Sequence, residues 1–171
     1  MQKFASLWSI ATIVGAVISF AALSSNHLTA ATTDENPITR LMGYWSGHGL
    51  VVTRSGPEKQ FKCVVTYRPT KDGELLRQTM RCRNSDGKFE AITTLLFSGD
   101  SVTGKWTETT HNLGGDVSGK ITDEGFDVHL SGRFFQAKMR VSSTACDQLV
   151  ELTPVQTDQF KELSASLKKR C

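Results

Sequence analysis

The 171-residue sequence contains no glycine-rich phosphate cradle, no serine, histidine and acid at a recognisable triad spacing, and no cysteines or histidines spaced as zinc ligands. Nucleotide cradling, triad hydrolysis and structural zinc all lose their sequence support. Histidine is scarce: outside the first 31 residues only His48, His111 and His129 remain. A ring that ligates haem or metal needs an inward position and a second-shell partner. His129 instead alternates away from Phe126, Val128 and Leu130, and a solvent-facing ring is expected of all three. The chain is expected to be non-enzymatic and to carry no metal or cofactor.

A dominant charge is missing too. Lys3 is the only basic residue among the first 31, which hold no acid, so 19 basic and 17 acidic residues remain beyond them, a net charge of +2. So small a balance names no partner by itself. Cysteine is absent until Cys63, which excludes a lipid-modified amino terminus on chemical grounds.

What is present at the amino terminus is Lys3, an apolar run from Ala5 to Leu23, and small residues at Thr29, Ala30 and Ala31. That is the order of a secretory signal peptide, 1–31, cut after Ala31 or, next, after Ala30. The run is long enough that an uncleaved membrane anchor stays open. About 140 residues follow, room for one domain with a real core: a lead-in segment at 32–40 and a domain at 41–171. Cys63, Cys82, Cys146 and Cys171 all lie in that exported part. In an oxidising compartment an even count reads as two disulfides, with three connectivities open.

Leu41 to Val52 organises the rest. With the two-residue period of a strand, Gly43, Trp45, Gly47, Gly49 and Val51 share one face, a single indole among residues with little side chain. Glycines inside a strand mark a tight bend or a close backbone approach, and the first strand of a small closed barrel needs both.

Phe61 to Arg68 and Leu75 to Asn84 read as a hairpin turning through Thr70-Lys71-Asp72-Gly73-Glu74. Symmetry about Asp72 and Gly73 sets Cys63 opposite Cys82 in a non-hydrogen-bonded pair, where side chains are closer. The same register turns Phe61, Cys63, Val65 and Tyr67 inward with Leu76, Gln78, Met80 and Cys82. Lys62, Arg68, Arg77, Arg81 and Arg83 fall on the opposite face, a cationic stripe with no acid on either strand.

Further alternating segments follow at Lys88 to Phe97, Val102 to Thr109, Val117 to Thr122, Phe126 to Ser131, Phe135 to Val141 and Cys146 to Thr153. Val102-Thr103-Gly104-Lys105-Trp106-Thr107 and Val117-Ser118-Gly119-Lys120-Ile121-Thr122 echo each other, as two similar staves would. The expected fold is all-β: a closed or nearly closed antiparallel up-and-down β-barrel of eight to nine strands, since closure removes exposed edges. After Pro154, Phe160, Leu163, Leu167 and Cys171 recur at helical intervals, which predicts one C-terminal helix over 157–171 packed on the barrel. Cys171 ends that stripe, so it is paired with Cys146 to pin the helix.

Gly43-Tyr44-Trp45 opening the first strand after a short lead-in, the meander, and a terminal helix together resemble the calycin superfamily of lipocalin-like barrels. That resemblance implies an arginine near the end of the barrel, set against the first-strand tryptophan, a place Arg140 can take. The chain is also similar to small secreted bacterial proteins with a Trp-Ser-Gly start, paired cysteines in the second and third strands, and a Gly-x-Trp-Thr-Glu-Thr segment, here Gly104 to Thr109. This second likeness implies a periplasmic, envelope-associated barrel and no particular activity.

Trp45, Tyr67, Trp106, Phe135 and Met139 are the candidates to line a cavity for a small apolar ligand; the other reading is that they fill the barrel. Inward Gly47, Gly49, Gly104, Gly119 and Ala137 favour a cavity. The cationic stripe is the candidate contact for an anionic envelope lipid or polysaccharide, because Arg68 and Arg77 repel where nothing anionic offsets them. Nucleic acid is not expected, since no aromatics interleave the stripe. The expected protein is therefore a periplasmic binding barrel that supports the cell envelope, with no membrane span after cleavage. The alternative is a protein-binding module such as a secreted protease inhibitor, with Thr32 to Pro37 as its inserted arm.

Overall fold

Cys63 faces Cys82 across a hairpin in the computed structural model, which describes residues 36–155 and 160–171. The pairing runs in the expected register from Lys62 opposite Arg83 to Pro69 opposite Leu76. Two features of the turn set that register: the Thr70 N–H donates to the Leu75 carbonyl at 2.8 Å, and Gly73 takes a left-handed φ of 76°. The two cysteines form a disulfide with their Cα atoms 4.1 Å apart, as a non-hydrogen-bonded pair allows. The signal peptide at 1–31 and the first part of the lead-in lie outside the described residues.

Helix α1 is Pro37–Leu41, started by the Asn36 side chain accepting from the Ile38 N–H at 2.9 Å, with Pro37 where a missing N–H costs nothing. The strands are β1 Gly43–Thr53, β2 Lys59–Pro69, β3 Leu76–Arg83, β4 Lys88–Ser98, β5 Ser101–Glu108, β6 Leu113–Thr122, β7 Gly125–Gly132, β8 Gln136–Ser143, β9 Asp147–Pro154 and β10 Phe160–Lys168. Each pairs antiparallel with the next, and β10 returns to β1, so the sheet closes. The two echoing staves are β5 and β6, paired so that Val102 faces Gly119 and Gly104 faces Val117. Each repeat thereby sets its glycine opposite the other's valine.

The C-terminal helix is the main correction, and it raises the strand count from eight or nine to ten. Leu163 and Leu167 are four residues apart, a spacing that shares a face in a strand as well as in a helix. Phe160 joins them through a bulge: Val52 faces Glu162 but Thr53 faces Phe160, which leaves Lys161 as the extra residue. Pairing prevails because β1 and β9 would otherwise each present an unpaired edge. Cys146 and Cys171 are joined as expected, but their bridge ties the β8–β9 turn to the segment just beyond the closing strand.

The inward glycines serve the coiling of the sheet. A Cβ on Gly47 would collide with the Ser166 carbonyl of β10, and one on Gly49 would lie 2.8 Å from Cys63 Sγ. They accommodate neighbouring chain and are not by themselves evidence of a cavity.

At one end the barrel is sealed by α1, which packs near β7 and β8. Leu41 and Trp45 are fully buried there, and the indole N–H donates to the Leu41 carbonyl at 2.7 Å. Arg140, the arginine expected against this ring, lies instead on the outer face of β8. Its Nε and Nη2 both meet the Asp127 carboxylate at 2.9 Å. Lys169 holds the place over Trp45, because β10 lies beside β1 whereas β8 does not.

Candidate functional site

Five inward residues were candidates for a ligand cavity, and the fold divides them between the two ends. Trp45 and Tyr67 belong to the α1 end. Tyr67 accepts from Gln78 Nε2 at 2.9 Å and donates to Gln148 Oε1 at 3.3 Å, linking β2, β3 and β9 across the interior. Burial drives its phenol far above the ordinary tyrosine value, and the two glutamine contacts offset this only in part. The hydroxyl is therefore a neutral cross-link between these strands.

Trp106 and Phe135 meet towards the opposite end. Trp106 sits on the inward face of β5, in register with Thr93 of β4 and Gly115 of β6. The Phe135 ring stands edge-on to it at 5.6 Å, and Phe160 stacks on Phe135 at 6.3 Å. Phe61 and Phe89 make a second edge-on pair at 6.0 Å where β2 and β4 begin, at the same end of the barrel. Phe61, Phe89, Phe135 and Phe160 all remain partly exposed, unlike Trp45, Tyr67 and Phe126 at the α1 end. Met139 is buried lower on β8, between Val128 and Leu152.

Two polar groups accompany this cluster. Trp106 is 5% exposed and its Nε1 has no hydrogen-bond partner, a state that costs about 1–3 kcal/mol in a dry interior. Glu108 follows on the same face of β5, and its carboxylate accepts from the Thr110 and His111 N–H groups, each at 2.8 Å. The His111 ring lies 2.8 Å from the same carboxylate. Sequence reasoning missed Glu108, although the alternation of Gly104, Trp106 and Glu108 carried the signal. It missed Phe160 because the bulge in β10 has no local signature.

The cationic stripe lies outward, with Lys62, Arg68, Arg77, Arg81 and Arg83 all exposed. Arg81 is not free: Glu90 of β4 meets it at 3.0 Å, an acid on a third strand that hairpin reasoning does not reach. That contact raises the Arg81 guanidinium further above its already high value. Register extends the stripe sideways, since His48, Lys62, Arg83 and Lys88 lie side by side across β1 to β4. Among the described residues, none of Lys62, Arg68, Arg77 and Arg83 has an ion-pair partner.

His48, His111 and His129 are all exposed. Among the described residues, no three His, Cys, Asp or Glu side chains are grouped to hold a metal, and no helix is long and apolar enough to cross a membrane. A depression of about 510 Å³ over β7 to β10 is lined by acids and bases together, with Arg140 on Asp127, and so presents no single-sign field. The arm proposed for protease inhibition lies outside the described residues at 32–35, while Asn36 and Pro37 form the cap and first turn of α1.

No protein-family model and no curated protein matches the sequence. Among solved structures, the crystal structure of Rv2717c from M. tuberculosis superposes with a TM-score of 0.64 at 14% identity, covering 78% of this chain and 94% of that one. The S-type phycobiliprotein lyase CPES from Guillardia theta superposes with a TM-score of 0.55 at 12% identity, covering 78% and 89%. Similarity at that level of identity speaks to fold alone, and the fold these structures share with this chain is the closed antiparallel β-barrel.

Proposed function

We propose that this protein is a non-enzymatic binding barrel that takes a small apolar ligand at the end opposite α1. The observation that carries this reading is the cluster at that end in which Phe135 and Phe160, only partly covered, pack over the buried Trp106. Apolar rings with few polar groups among them are what a small-ligand site requires. Met139 would extend the lining inward, and Trp45 and Tyr67 would close its floor. Two disulfides in so small a domain support an oxidising, extracytoplasmic setting such as the periplasm. The test is titration of the purified protein with the neutral fluorophore 1-aminoanthracene. Saturable one-to-one binding that weakens on Phe135→Ala supports the reading, and a linear, unsaturable response rejects it.

The row His48, Lys62, Arg83 and Lys88 favours a second reading, contact with an anionic envelope lipid. Lys62, Arg83 and Lys88 in adjacent register positions beside His48, with Glu90 taken up by Arg81, leave this outer face net positive. Co-sedimentation with phosphatidylglycerol vesicles but not phosphatidylcholine vesicles, lost at high salt, is the expected result. Equal retention on both would end this reading.

A further inference from the structure

Within the aromatic end, Trp106 is a buried donor left without an acceptor. Its register neighbours Thr93 and Gly115 do not take its N–H, and neither does Phe135, whose ring stands edge-on at 5.6 Å. About 7 Å further along the same face of β5 stands Glu108, whose side chain is 13% exposed. Burial favours its protonated form, but hydrogen bonds from the Thr110 hydroxyl, the Thr110 and His111 N–H groups and the His111 ring outweigh burial and hold it below the ordinary glutamate value. The aromatic end therefore combines an unused neutral donor with a fixed negative charge.

We propose that this end selects an uncharged ligand: an apolar body with a neutral acceptor, a carbonyl or ester oxygen, that takes the Trp106 N–H while Glu108 disfavours a free carboxylate. The inference rests on the apolar-ligand reading above and adds to it a polar anchor and a charge class. A pure hydrocarbon leaves the indole donor unpaired. A carboxylate brings a like charge towards Glu108 in a poorly solvated space, where repulsion is strong.

Three probes of similar chain length separate these cases: methyl decanoate, decanoate and undecane. The ester binds roughly five- to tenfold more tightly than the alkane, the gain of one hydrogen bond, and the acid binds weakest at neutral pH. Trp106→Phe brings the ester down to the alkane, and Glu108→Gln raises the acid. Since the smaller ring also changes the packing on Phe135, the donor is read directly as well. In nitrogen-labelled protein the Trp106 Nε1 proton resonance moves with the ester and not with undecane, while the Trp45 signal, already bonded to Leu41, stays in place. Equal ester and alkane affinity, a stationary Trp106 signal, or tighter binding of decanoate each overturns the inference and leaves apolar binding intact. Binding of none of the three removes the apolar-ligand reading itself.

Discussion

Lys169 holds its ammonium group 4.7 Å from the centroid of the Trp45 ring while donating to the Arg40 carbonyl at 2.8 Å. One side chain thus joins the end of β10 to the beginning of β1 and to α1. Replacing it with methionine keeps the apolar stem and removes both attractions. Lys169→Met is expected to lower unfolding stability by about 1–2 kcal/mol and to alter Trp45 emission. An unchanged urea midpoint would show that the contact contributes nothing.

The two disulfides act on different parts of the fold. Cys63 and Cys82 join strands already held by a short turn, whereas Cys146–Cys171 secures the segment beyond the strand that closes the barrel. The Cys146→Ser, Cys171→Ser double variant should lose about 3 kcal/mol. It should also speed amide exchange in β10 and in the facing edges of β1 and β9. The Cys63→Ser, Cys82→Ser variant should not share that exchange pattern. Identical patterns in both would contradict this division.

Glu108 gives stability a pH dependence of definite sign. Its carboxyl titrates below the ordinary glutamate value because its hydrogen bonds outweigh partial burial. Its contribution is complete above the unfolded-state value of about 4.3 and disappears as pH falls through the lower folded value. Wild type should therefore exceed Glu108→Gln in stability near neutrality, with the difference shrinking in acid. A difference that stays constant with pH would show that the carboxylate charge is not involved.

Arg68 and Arg77 oppose each other directly across β2 and β3 with no described acid beside them. Arg77→Glu turns that repulsion into attraction and should stabilise the barrel by roughly 0.5 kcal/mol. The same change should weaken sedimentation with phosphatidylglycerol vesicles. A destabilised variant would mean that the guanidinium stems pack on the strand surface and contribute more than their charges cost.

The hairpin register was legible in the sequence because a short turn leaves little freedom. Once Asp72 and Gly73 centre the loop, every partner from Lys62 to Pro69 follows, including Cys63 opposite Cys82. Sideways relations were not legible in this way. Glu90 reaches Arg81 from β4, and Lys88 joins the row of Arg83 and Lys62, through pairings that no single hairpin specifies. The site divides along the same line: Trp106 and Phe135 were named from alternation, while Phe160 was hidden by a one-residue bulge and Glu108 by its place at the end of β5.

Alternation along each strand by itself settled which side chains face the core, since a strand offers only two faces and water selects between them. How many staves complete the circle depended on the tertiary structure. The segment 160–168 has helical spacing in isolation, and it becomes β10 because it pairs the edges that β1 and β9 would otherwise leave free. The cation over Trp45 followed from that closure, which brings Lys169 beside the first strand and leaves Arg140 to Asp127.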